Sequence, residues 1–146
     1  MYRNSAFSLL IVCFIASLVS CNSNPTFHNS HEPKRQNTPF SDAVETSDLL
    51  FLAGQIGRDH KTGLLASGIE AQTKQVIENI EDVLKYHDSD LDQVVKCTVI
   101  LKNIEDFQAF NEVYTQYFKK KPARTTFAAA GLAANALIEI DVIAAK

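Results

Sequence analysis

Two segments of this chain alternate like strands but have unlike faces. In Val94–Leu101 the row Val95, Cys97, Val99 and Leu101 is apolar, while Val94, Lys96, Thr98 and Ile100 mix charge with hydrocarbon. In Leu137–Ile143, Ile138, Ile140 and Val142 form one row and Glu139 and Asp141 stand opposite. Successive side chains of a strand point to opposite faces, so these segments demand a sheet with one apolar face and one that is half polar. Helices can cover the first. The second fits burial against copies of the same chain, with polar groups lining wet pockets at the seams, and predicts a homo-oligomer.

The rest of the pattern supplies the helices and a hairpin. Leu49–Ala53, before Gly54, reads as a buried strand paired with Ser41–Thr46 across Ser47-Asp48. Ser67-Gly68-Ile69-Glu70 has the form of a capping box, and Ile69, Val76, Ile77, Ile80, Val83 and Leu84 recur at helical spacing to about Tyr86. Asn103 to Asp106 caps a second helix, whose Phe107, Phe110, Val113, Tyr114, Tyr117 and Phe118 form an aromatic stripe expected to be core. The order strand, strand, helix, strand, helix, strand, strand gives an α+β fold with both helices on one sheet face.

The N-terminal part differs in kind. Arg3 is the single charge in residues 1–20, and Ala6 to Val19 is apolar apart from Ser8 and Ser17. That run is shorter than the roughly 20 residues a spanning helix needs and has the form of an export signal. Leu18-Val19-Ser20-Cys21 resembles the lipobox of bacterial lipoproteins, in which the cysteine is acylated after cleavage. Asn22, in place of an aspartate, implies by the same resemblance an outer-membrane anchor with the domain facing the periplasm.

The expected organisation is a signal over residues 1–20, an acylated Cys21 with a flexible tether to residue 38, and one folded domain over 39–146. Cys97 is then the one cysteine left in that domain, which excludes an internal disulfide there. Loss of residues 1–20 leaves 13 basic against 17 acidic residues, a net charge of −4 that speaks against general nucleic-acid binding. His28 and His31 fall in the tether and His60 and His87 stand apart, so no metal-ligand spacing is visible.

Two ionisable residues interrupt otherwise core-like segments: Arg124 in Pro122-Ala123-Arg124-Thr125-Thr126, and Glu139. A guanidinium presents a rigid fork matched to a carboxylate. A glutamate in apolar surroundings has its pKa raised toward the range useful for proton transfer. Together they suggest a pocket for a small carboxylate and a water.

Several ordered segments carry a family resemblance: Pro39-Phe40-Ser41-Asp42-Ala43-Val44, Leu52-Ala53-Gly54-Gln55-Ile56-Gly57, Lys61-Thr62-Gly63 and Val94 to Val99. Phe110-Asn111-Glu112-Val113-Tyr114, Pro122-Ala123-Arg124 and Ile138-Glu139-Ile140 complete the series. In this order the chain from Pro39 to Lys146 resembles the RidA/YjgF reactive intermediate deaminase family.

The resemblance implies a chorismate mutase-like fold, a homotrimer with ligand pockets between subunits, and hydrolysis of 2-imino acids to 2-keto acids and ammonia without cofactor or metal. It assigns the substrate carboxylate to Arg124 and the attacking water to Glu139. Phe40, Ala53, Gly54, Asn111 and Thr126 would shape the pocket. Phe40 stands where deaminases of the family usually have tyrosine, Ala53 replaces a frequent serine, and Thr126 a frequent cysteine or alanine. A non-catalytic trimeric module that binds a small carboxylate or an envelope partner is the alternative. A nuclease role, attributed to some relatives, conflicts with the acidic charge.

Overall fold

The computed structural model describes residues 24–146. The export signal and Cys21 therefore lie outside the described residues. Within them the strands are β1 (Thr26–His28), β2 (Ala43–Glu45), β3 (Leu49–Leu52), β4 (Gln55–Ile56), β5 (Val94–Leu101), β6 (Ala123–Ala128) and β7 (Ile138–Ala145). The helices are α1 (Ile69–Tyr86) and α2 (Phe107–Tyr117).

The strands form one mixed sheet in the order β1-β2-β3-β7-β5-β6, with β4 also on β7; β5 and β6 are the parallel pair. Both helices cover the face to which Ile138, Ile140, Val142 and Ala144 of β7 point, and all four are buried. The expected α+β architecture is the one observed, including the hairpin, in which Glu45 pairs with Leu50.

Three local expectations change. The capping box at Ser67 does not form: Gly68 is the N-cap at φ 85°, a left-handed conformation that suits glycine, and no side chain caps the helix. Asn103 likewise gives no side-chain cap, and a short 3-10 turn at Ile104–Asp106 leads into α2. In β5 the register shifts between Val94 and Lys96, so Val94 turns inward and Val95 is 46% exposed. A bulge adds a residue to one strand and reverses the facing of those before it, which is why strict alternation placed Val95 in the core.

The tether expected up to residue 38 is also partly ordered. β1 pairs antiparallel with β2, with Thr26 opposite Glu45 and His28 opposite Ala43. The pairing satisfies the edge of β2 through main-chain groups and needs little apolar side chain, so hydrophobic pattern gave no sign of it. After β1 the chain passes through a 3-10 turn at Pro33–Arg35. Arg35 donates to Asp42 Oδ1 and Gln55 Oε1, each at 2.7 Å, and fixes this arm to the body.

Polar residues on the inner side of α1 position β4. Asn79 Nδ2 donates to the carbonyls of Ile56 and Arg58 at 3.1 and 2.9 Å. Gln72 Oε1 accepts from the Leu137 amide at 2.8 Å, while its Nε2 donates to the Ala66 carbonyl. Both side chains are buried. They satisfy backbone groups that an irregular segment would otherwise leave orphaned, and they hold the Gly54–Arg58 turn against the start of β7.

Candidate active site

Arg124 lies on β6 in register with Cys97 of β5, so its side chain leaves the sheet on the helix face. Its guanidinium rests over three rings of α2: Tyr114 at 4.6 Å, Phe110 at 5.1 Å and Phe107 at 5.7 Å from the ring centroids. It also donates to Asn111 Oδ1 at 2.8 Å. Among the described residues no carboxylate lies within ion-pair distance of it.

Aromatic faces attract a cation, by about 0.5–2 kcal/mol per contact, yet do not neutralise it. The charge stays available to an anion. Thr126, two residues on in the same row, has a buried Oγ1 without a hydrogen-bond partner. The aromatic stripe is thus core only in part: Phe110, Tyr114 and Phe118 are buried while Phe107 is 39% exposed at the edge of the guanidinium seat.

Glu139 leaves β7 on the opposite face, beside Ile56 of β4 and Ile100 of β5. A Cβ on Gly54 would collide with Glu139 Oε1, so a side chain there would displace the carboxyl. Burial first, and then the neighbouring Asp141, push the Glu139 carboxyl above its ordinary range. Phe40, Gly54 and Glu139 line a cavity of about 410 Å³; Ala53 sits half-buried behind Gly54 and does not reach it.

Arg35, Arg58 and His60 also line this cavity; the sequence pattern assigned none of them to the site and left His60 standing apart. The Arg58 Nε is buried without a partner. Burial, and next the Arg35 charge, lower the His60 pKa. The signals existed, in the arginine of the ordered arm and in the turn after β4, but nothing in their spacing tied them to Glu139.

The residues expected to form one pocket therefore fall into two groups. Arg124, Asn111 and Thr126 occupy the helix side of β6, and none of them lines the Glu139 cavity. Glu139 pairs with Ile100, which pairs with Phe127, three residues beyond Arg124. With strands about 4.8 Å apart and a rise of about 3.3 Å per residue, the two Cα atoms are about 14 Å apart, with side chains on opposite faces. Within one chain the pair cannot close on itself as an ion pair.

One further grouping escaped the sequence reading. His28 and His87, expected to stand apart, lie with Glu45 in a cluster whose donor atoms are all within 4.8 Å of one another. Their separation along the chain hides it, and the pairing of β1 with β2 creates it.

An acid in a partly buried cavity and a free guanidinium on an aromatic seat, carried on a mixed sheet under two helices, define a known class. A family model described as Endoribonuclease L-PSP matches residues 30–146, and the chain belongs to that family, RidA/YjgF. It is 46% identical over 110 residues to a RutC family protein of Pyrococcus horikoshii, covering 74% of this chain and 87% of the relative. It is 41% identical over 108 residues to the human 2-iminobutanoate/2-iminopropanoate deaminase, covering 73% of this chain and 79% of that enzyme. The crystal structure of RidA from the Antarctic bacterium Psychrobacter sp. PAMC 21119 superposes with a TM-score of 0.77 at 30% identity, over 83% of this chain and 99% of that one.

Proposed function

We propose that the protein hydrolyses 2-imino acids of the 2-iminobutanoate and 2-iminopropanoate type. Water adds to the imine carbon, the C–N bond breaks, and a 2-keto acid and ammonia leave. The observation that carries the reading is the Arg124 guanidinium, seated on three rings and Asn111 and left without an acidic partner among the described residues. It takes the substrate carboxylate. Glu139, raised in pKa by its burial, holds the water and passes a proton to the departing nitrogen.

A protonated imine is already electrophilic, so orientation and general acid–base help, the latter worth about 10²- to 10⁴-fold, suffice without a nucleophilic side chain. The similarity to the human deaminase supports this chemistry.

The reading includes assembly and location. Because Arg124 and Glu139 stand on opposite faces, the working site joins Arg124 of one copy to Glu139 of another, in a homotrimer packed through the half-polar sheet face. Phe51 and Phe127, 38% and 45% exposed on that face, support such burial. The Leu18–Cys21 segment supports export and lipid anchoring at Cys21. Radiolabelled fatty acid should enter the parent and not Cys21→Ala.

A coupled assay that generates 2-iminopropanoate in situ and follows its loss tests the activity. Acceleration by the parent that disappears in Arg124→Ala and in Glu139→Ala is the expected result. A folded, assembled parent that gives no acceleration would leave a carboxylate-binding module, a reading favoured by the missing hydroxyl at Phe40.

A further inference from the structure

The cluster of His28, Glu45 and His87 is built from three separate elements. His28 ends β1, Glu45 ends β2 and His87 caps the C-terminus of α1. His28 and Glu45 lie on the helix side of the sheet, in the row of the buried Ala43. His28 Nε2 and Glu45 Oε2 are 2.9 Å apart. The two imidazole rings meet edge to face with centroids 4.6 Å apart. All three residues are half-buried, and Glu45 and His87 line a cavity of about 330 Å³ at the surface.

We propose that His28, Glu45 and His87 bind a divalent transition ion of the zinc class, which fastens β1 to the end of α1. Two imidazoles and a carboxylate are a donor set suited to Zn²⁺. Ligands at ordinary Zn–N and Zn–O distances stand about 3.3 Å from one another in a tetrahedral site, so donors already within 4.8 Å need only small rotations to close. The fourth position faces the cavity, where a water can sit. Ser89 lines the same cavity with a buried hydroxyl that lacks a partner, and a metal-bound water would give it one.

The surroundings act on the ligands. Tyr86 packs edge-on against the His87 ring, and His31 stacks on Tyr86, which restrains the imidazole. Lys146 pairs with Glu45 Oε1, leaving Oε2 toward His28. This ammonium opposes a second cation and competes for the carboxylate, so it sets the affinity.

Purpose follows from length: β1 has three residues, its Phe27 is 69% exposed, and little apolar burial retains it. An ion bridging β1 and α1 replaces the packing the strand lacks. It also steadies the arm that carries Arg35 to the cavity wall. Glu45 and His87 lie within the residues that the family model matches, and His28 lies just before them.

The test is titration of Zn²⁺ alone into the purified full-length chain after chelator treatment. One ion per chain, bound in the micromolar range or tighter, is expected, with exchange of the 26–28 amides slowed by the metal. His28→Ala and His87→Ala should each weaken binding at least about 100-fold, and His60→Ala should leave it unchanged. Lys146→Ala should tighten it about tenfold by removing the competing charge; unchanged or weaker binding would remove Glu45 from the site.

Co²⁺ keeps the question answerable if a histidine variant misfolds, since the parent loaded with Co²⁺ should show the visible bands of a low-coordinate nitrogen and oxygen site. Absence of stoichiometric binding by the folded parent, or binding that survives both histidine substitutions, overturns the proposal.

Discussion

Arg124 and Glu139 are solvated by the protein in contrasting ways. The guanidinium has aromatic faces and one amide oxygen around it and keeps its charge uncompensated. The carboxyl sits in a cavity beside Asp141, where burial makes that charge costly. One half is built to stay charged and receive an anion, the other to hold a proton easily. On the proposed chemistry, their placement on opposite faces of one sheet leaves a single chain with two incomplete sites, each with half of the chemistry.

The strongest challenge to this division is complementation. Arg124→Ala and Glu139→Ala chains, each reduced about 100-fold or more, should regain activity when unfolded and refolded together. Random pairing of the two halves gives about a quarter of parental activity at a site shared between neighbouring copies. Recovery no greater than the sum of the two variants would place both halves in one chain and end the comparison.

Gly54→Ala tests the Glu139 half alone. The added Cβ meets Oε1 and must displace the carboxyl, so kcat should fall about 100-fold, the scale expected for a misplacement of about 1 Å. Circular dichroism and oligomeric state should stay parental, and KM should change little. A comparable loss in substrate binding would show that Gly54 serves the carboxylate end.

Asn111→Ala tests the other half more gently. It removes a hydrogen bond of 2.8 Å to the guanidinium but leaves the rings in place. A bond to a charged group contributes about 1.5 kcal/mol, so KM should rise about tenfold with kcat nearly constant. An unchanged KM would mean that the aromatic seat alone orients Arg124.

The smallest effect is on stability. A raised Glu139 pKa means that the folded chain binds more protons than the unfolded one as the group titrates, so its contribution to stability falls as pH rises through that interval. Glu139→Gln should gain on the parent in denaturant titrations as pH rises above the ordinary glutamate range, and the gap should level off once the folded carboxyl has ionised. A constant gap would remove burial as the reason for the shift.

Most of the fold was legible because burial on one face writes itself into periodicity. α1 spans the expected Ile69–Tyr86, and the inward row of β7 is the one the alternation marked. What failed was set by backbone geometry. The bulge at Val94–Lys96, the uncapped start at Gly68 and the edge strand β1 depend on main-chain bonds that no hydrophobic pattern reports.

The candidate site was legible as residue types, since Arg124 and Glu139 are conspicuous in apolar surroundings. Their separation was not, because facing within a sheet is known only once register is fixed. The part of Arg35 and Arg58 in the cavity wall was hidden for a related reason: the arm's contacts are polar and distant in sequence.

Cys97 lies directly beneath this arrangement. Its thiol is fully buried, accepts a bond from the Tyr114 hydroxyl at 3.3 Å, and is pushed by burial to a pKa of about 11. Thiol reagents need the thiolate, so in the native state this sulfur is silent. The same Tyr114 ring is the nearest to the Arg124 guanidinium. Lifting that ring breaks its bond to the sulfur and takes away the nearest face under the guanidinium, so an opening there disturbs the thiol and the anion seat together.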